Sequence, residues 1–312
     1  MTSGVRILVV GAGATGGFFG GRLAQAGRDV TFLVRPGRAG VLAERGLRIT
    51  GLGEQTVLTP KLVQAGGTGD LRGPYDLVLF TVKAAGLDAA IEDVAPAVGP
   101  RTLVLPVLNG MRHLDALVAR FGEERVLGGV AVVMTTVDAE GDSRRLFDLQ
   151  SLTYGVRSGE APRELAAVHE TLSGAGFDAT LSPDIVGQMW AKWVFIASLG
   201  AVTALMRGTI GEVADQPGGI EFAEAVVAEC AAVAEAAGHP VPAARLAGIR
   251  ADASEPGSGR APSLYRDLTA GSGVEGEQIF GDLVDRARKL GAEVPLLELV
   301  RLNLRVHQAR VG

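Results

Sequence analysis

Apolar residues in the first third of the chain come in short, almost unbroken runs. The segments 7-ILVV-10, 30-VTFLVR-35, 76-DLVLFTV-82 and 102-TLVLPVL-108 are too short for helices and too continuous for strands with one wet face. They predict a parallel sheet whose strands are buried on both sides. After 130-VAVVMTTVDAEG-141 and a last strand near 152-LTYGV-156, the apolar spacing lengthens to that of a helix. The run 182-SPDIVGQMW-190 carries start signals, with Ser182 as N-cap, Pro183 at the first helical position and Asp184 in the first turn. Further helices are predicted over 218–238, 241–252, 275–290 and 296–308, and 254-SEPGSGRAPS-263 reads as a loop.

The best-defined motif follows the first strand. In 5-VRILVVGAGATGGFFGGRLAQAG-27 a strand, a tight turn and a helix ending at Gly27 enclose Gly11, Gly13 and Gly16, in the order G-x-G-x-x-G. Gly11 permits the turn, Gly13 lets backbone approach a pyrophosphate, and Gly16 lets the helix pack closely on the strand. The N–H groups opening the helix then face the phosphate charge, so Gly11, Gly13, Ala14, Thr15 and Gly16 are the cofactor-binding candidates. Out of context the pattern is only a glycine-rich turn; between an apolar strand and a helix it predicts dinucleotide binding. The fold class expected is therefore α/β: an N-terminal Rossmann-type parallel-sheet domain over residues 1–181, followed by an all-helical C-terminal domain over 182–312.

At the end of the second strand, where a carboxylate would hold the ribose of NAD, the chain reads 35-RPGR-38. Two guanidiniums suit a 2′-phosphate, which favours NADP as cofactor; the alternative is a pair of solvated loop charges. The third and fourth strands end in Lys83 and in Asn109-Gly110. Ligands of such sheets bind beyond the carboxyl ends of the strands, making both residues cofactor or substrate candidates. The competing readings are a surface lysine at a helix start and a turn residue before glycine.

Composition narrows the partners. The 312 residues are 47% hydrophobic and 21% charged, enough for about two globular domains, and the net charge is −5. No run of five basic residues occurs, which argues against nucleic acid or an anionic membrane and for a small-molecule substrate. One cysteine, Cys230, cannot form an internal disulfide and reads as a packed apolar side chain. The four histidines lack ligand spacing, so no metal is expected. Residues 6–26 have the outline of a signal peptide, but six of the fifteen residues from Ile7 to Gly21 are glycine. No apolar run reaches membrane length, because Lys192 interrupts the longest one. The expectation is a cytoplasmic monomer or homodimer.

That lysine is the other candidate of note. From Ile185 to Met206 no other side chain is charged. On a helix, Lys192, Ile196, Gly200 and Thr203 share one side. A lysine so placed either loses hydration and becomes a usable proton donor near neutral pH, or snorkels its head to solvent.

Taken together, the residues resemble ketopantoate reductase (2-dehydropantoate 2-reductase) over nearly the whole chain. The resemblance rests on G-A-G-A-T-G at Gly11–Gly16, Arg35, T-V-K ending in Lys83, L-N-G at Asn109, and W-x-K ending in Lys192. It continues through Ser263, Asp267 and Glu275 to Gly281. It implies that NADPH delivers hydride to the ketone of a 2-oxo acid, the reaction that makes pantoate in pantothenate biosynthesis. It further implies Lys192 as general acid, Lys83 and Asn109 lining the nicotinamide and substrate region, Ser263 holding substrate, and Glu275 supporting the lysine or a substrate hydroxyl. Ser263 also reads as a helix cap, and Ser272-Gly273-Val274-Glu275 as a capping box. One departure stands out: the family's two asparagines, four and eight positions after the lysine, are replaced by Ile196 and Gly200. This predicts a more apolar substrate pocket. Alternatives are a related NADP-dependent hydroxyacid dehydrogenase with a different substrate, or a non-catalytic NADP-binding regulator.

Overall fold

A computed structural model describes residues 4–67, 71 and 73–311, so the outermost ends of the two expected domains, 1–3 and 312, lie outside the described residues. The chain forms two compact units. One comprises the residues up to Leu108 together with His113–Ile185; the other comprises Asn109–Arg112 together with the chain from Val186 onward. A four-residue piece after the fourth predicted strand thus packs with the helices, a placement that hydropathy does not reveal.

The first unit runs β1 (Arg6–Val10), α1 (Ala14–Gln25), β2 (Asp29–Val34), α2 (Pro36–Arg45), β3 (Leu47–Gly51), β4 (Glu54–Leu58) and β5 (Lys61–Gln64). It continues with β6 (Tyr75–Phe80), α3 (Leu87–Val94), β7 (Val98–Pro106), α4 (Arg112–Phe121), β8 (Gly128–Val137), β9 (Ser143–Gly155), α5 (Leu165–Leu172) and β10 (Asp178–Leu181). Five strands form a sheet in the order β5-β2-β1-β6-β7, with every pair parallel. Its central strands are the continuous apolar runs, and Ile7, Leu8, Val9, Leu77, Val78 and Leu79 are fully buried. The strand order reverses between β1 and β6, which makes their carboxyl ends the expected ligand position.

A second sheet was not legible as such. It is ordered β10-β9-β3-β4, with β8 antiparallel to β9. The stretches 130–141 and 152–156 are parts of this long hairpin, turned at Asp138–Asp142, where Asp138 Oδ1 accepts the Asp142 N–H at 2.7 Å. Helix α1 packs against strands of both sheets. A Cβ at Gly20 would meet the Phe32 ring of the first sheet at 2.5 Å, and one at Gly21 would meet Ile49 of the second at 2.8 Å. Glycines beyond the phosphate motif are therefore packing residues: a helix buried on both sides needs faces without side chains.

The second unit is helical: α6 (Ile185–Met206), α7 (Ile210–Ala214), α8 (Gly219–Ala236), α9 (Ala243–Ala253), α10 (Ser263–Thr269), α11 (Asp282–Leu290) and α12 (Pro295–Val311). A π-helical turn, Glu277–Gly281, leads into α11. Helix α6 corrects one expectation. At 22 residues it is long and apolar enough to cross a membrane despite its lysine, but 72% of that apolar window is buried inside the fold. It is a core helix. Segment 254–262 is a loop, and Ser263 opens α10. Glu229 of α8 caps α12, its two carboxylate oxygens accepting the N–H groups of Leu296 and Leu297 at 3.0 Å each. Cys230 is fully buried, with its thiol pushed up to about 12 by loss of hydration, which keeps it inert.

Candidate active site

The end of β1 is shaped by backbone alone. Gly11 has φ +94°, a left-handed value that favours glycine. Gly16 lies so close that a Cβ there would collide with the Gly11 carbonyl and the Thr81 hydroxyl. Thr81, just past β6, donates from Oγ1 towards the carbonyls of Val10 and Gly11, both at 2.9 Å, and so fastens the loop to the neighbouring strand. Gly13 is different, since a Cβ there would meet nothing within 4 Å. Helix α1 begins at Ala14 with no side-chain cap and no acid in its first turn. Open space in front of uncapped N–H groups is what a pyrophosphate needs, so these residues fit a dinucleotide.

The two arginines after β2 have separate settings, which corrects the paired reading of Arg35 and Arg38. Pro36 starts α2, so Arg38 lies in its first turn, and its guanidinium donates from Nε to the Ala12 carbonyl at 2.8 Å and from Nη1 to the Gly141 carbonyl at 2.6 Å. It ties the glycine loop to the β8–β9 turn, and burial lowers its pKa. Arg35 is exposed at the N-cap, with Nη2 lying 2.8 Å from where a Cβ of Gly86 would stand. That glycine belongs to the short 3₁₀ turn Ala84–Gly86 begun by Lys83, which is exposed. Arg35 and the turn after Lys83 thus share one rim of the sheet, beyond β2 and β6.

In the helical unit Lys192 lies half-buried on α6. Lost hydration pushes its ammonium down from 10.5 to about 8, while the Glu275 carboxylate acts in the opposite direction. The neighbouring Trp193 is buried and donates its indole N–H to the Ile279 carbonyl of the π turn at 3.0 Å. The preceding residue, Gln278, donates from Nε2 to the Asn109 carbonyl at 3.1 Å. The backbone of Asn109, the helix that carries Lys192 and the chain leading from Glu275 therefore meet at one short turn. Glu275 precedes that turn, its carbonyl accepting the Ile279 N–H at 3.1 Å, and the N-cap of the turn is Gly276 rather than Ser272, which corrects the reading of Ser272 as the cap.

Ser263 is exposed as the first residue of α10, whose N-cap is Pro262 with no side-chain bond, which corrects the reading of Ser263 as a cap. On α6, Ile196 is half-buried and Gly200 is buried, and a Cβ at Gly200 would touch the Phe280 ring at 3.4 Å. Phe280, itself fully buried, fills the side of the helix where an amide at position 200 would project. Gln278 and Phe280 escaped the sequence reading, and Thr81 entered it only as part of T-V-K, because their significance is a contact with glycine or backbone remote in sequence.

Residues 7–159 match the family Ketopantoate reductase PanE/ApbA, and residues 184–308 match Ketopantoate reductase PanE/ApbA C terminal. The chain belongs to the ketopantoate reductase family. An uncharacterized oxidoreductase, YkpB of Bacillus subtilis, is 33% identical over 306 residues, covering 98% of this chain and 99% of that protein. A 2-dehydropantoate 2-reductase of Archaeoglobus fulgidus is 30% identical, covering 95% and 97%. D-mandelate dehydrogenase, solved with NADH and anilino(oxo)acetate, has the same fold, with TM-score 0.88, 20% identity and coverage of 98% and 99%. This ketopantoate reductase family member is thus an oxidoreductase with an α/β dinucleotide unit and a helical unit. Among the described residues no group of three or more His, Cys, Asp or Glu is placed to hold a metal.

Proposed function

We propose that the chain is an NADPH-dependent reductase of a 2-oxo acid, with Lys192 as the general acid. The observation that carries this reading is the meeting of the Lys192 helix, the Asn109 backbone and the chain from Glu275 at the π turn, with the ammonium drawn close to neutral pH. NADPH, when bound, supplies the hydride. Gly13 and the first N–H groups of α1 receive the pyrophosphate, and Arg35 at the rim receives the 2′-phosphate. Lys83 and Asn109 are each read as a contact of the nicotinamide or the substrate.

Reduction places negative charge on the former ketone oxygen. Lys192 Nζ donates a proton to it and recovers one from solvent afterwards, so the ammonium both stabilises and neutralises the alkoxide. Glu275 keeps the lysine cationic against its own desolvation, and Ser263 assists in holding substrate. Ile196, and Gly200 backed by Phe280, provide no amide, which favours a 2-oxo acid with a more apolar side chain than ketopantoate.

The test is NADPH and NADH oxidation against a panel of 2-oxo acids that includes ketopantoate and 2-oxoisovalerate. Turnover of one or more with NADPH supports the reading, and the order of kcat/KM identifies the side chain. Ketopantoate as best substrate would assign the chain to pantothenate biosynthesis. Cofactor binding without reduction of any member would refute a 2-oxo acid as the substrate and favour a non-catalytic NADP-binding regulator.

A further inference from the structure

The π turn stands where three groups of contacts meet. Its outer residue, Glu277, receives Arg301 at 2.8 Å and Arg305 at 2.6 Å, both from α12, and these hydrogen bonds hold its carboxyl down at about 2. Its Ile279 carbonyl receives Trp193, adjacent to Lys192. Between them Gln278, only 7% exposed, receives the turn that carries Asn109. Gly110 completes that contact: it has φ +73°, and a Cβ there would come within 2.7 Å of the Gln278 carbonyl oxygen. A π turn inserts a residue into the helical ladder and redirects its backbone, and such insertions concentrate at functional sites. Here consecutive residues of one turn grip the segment of Asn109 and the helix of Lys192.

We propose that Gln278 is a positioning residue, which fixes the Asn109–Gly110 turn on the support that also anchors the lysine helix, and so aims the Asn109 side chain. The inference rests on the reading of Asn109 as a residue of the reductase site. The amide is required for a chemical reason: the partner is a carbonyl oxygen, so only a donor at position 278 can hold it. Methionine has similar length and no donor. The bond is made to the backbone of Asn109 and survives in Asn109→Ala, where only the side chain being aimed is lost.

Two measurements test this. In the ligand-free protein, Gln278→Met should speed hydrogen exchange of the amides in 108–112 while leaving exchange within α8 unchanged. In turnover, Gln278→Met should lower kcat/KM for the best 2-oxo acid roughly tenfold, the scale of one lost buried hydrogen bond. It should have no further effect in an Asn109→Ala background, since the two changes act through one side chain. Gly110→Ala breaks the same contact from the other side and should raise the same exchange, which keeps the test available should Gln278→Met fail to fold. Unchanged exchange in 108–112, or losses that multiply in the double variant, would overturn the assignment. Absence of any 2-oxo acid reduction in the unaltered protein would refute the proposed function instead, and exchange alone would then decide whether Gln278 holds the turn.

Discussion

The glycine loop of the first unit and the π turn of the second each gather residues proposed for function, using different materials. At Gly11, Gly13 and Gly16 the useful property is a missing side chain: a left-handed φ, an open space and a close approach. Around Glu277–Gly281 the useful property is side chains and carbonyls brought from distant segments, Trp193 to Ile279 and Gln278 to Asn109. A backbone site is written in consecutive residues. A side-chain site assembled by packing leaves almost no local trace, and the two should therefore respond differently to substitution.

The largest effect expected is at Lys192. Lys192→Ala should lower kcat by roughly 100-fold or more, the scale of a lost acid catalyst, with NADPH affinity unchanged by calorimetry. Stability should not fall with it, because this lysine is a cost to the fold. Its native pKa of about 8 lies below the ordinary 10.5, so between those values the unfolded chain binds more protons and stability rises with pH. Below about pH 8 the cost is fully present. Denaturant titrations at pH 7 and pH 10 should show this rise in the parent protein and lose it in the variant. The rate of reduction should fall above about pH 8 as the proton is lost; a flat profile through pH 10 would remove Lys192 from the acid role.

Next come the arginines, which sharpen the difference between binding and building. Arg35→Ala should weaken NADPH roughly 10- to 100-fold, as expected for charge-assisted hydrogen bonds, and leave NADH nearly unaffected. Arg38→Ala should instead lower Tm and weaken both cofactors alike, because its guanidinium holds the Ala12 and Gly141 carbonyls. Equal discrimination by the two variants would mean that both read the 2′-phosphate.

Glycine substitutions probe the backbone site. Gly13→Ala should leave Tm unchanged, since its Cβ meets nothing, yet weaken NADPH by filling the space for pyrophosphate. Gly16→Ala should destabilise by about 1–3 kcal/mol or more through collision with Gly11 and Thr81. The smallest effects concern the altered α6 face. Ile196→Asn should be tolerated, whereas Gly200→Asn must displace the Phe280 ring and should cost about 1–3 kcal/mol. If ketopantoate kcat/KM rises in the double variant without loss of stability, Phe280 is not what closes that side.

Periodicity and glycine spacing by themselves determined the parallel sheet, the dinucleotide loop and the helical second half, because each depends on residues within one turn or strand of one another. The long uncharged run around Lys192 singled that residue out but left open whether its head loses water or snorkels to solvent; burial in the folded chain is what lowers its pKa. The second sheet was invisible in the sequence: β4 and β10 are four or five residues long and half-exposed, and pairing between remote segments has no local signature. The same limit hid the fates of Arg35 and Arg38, three positions apart and identical in type, which only the start of α2 at Pro36 separates. Tertiary structure alone decided that Asn109 packs with the helices, that Phe280 lies against Gly200, and that Gln278 holds a carbonyl 169 residues away. Those contacts depend on burial among distant segments, and burial is a property of the folded chain.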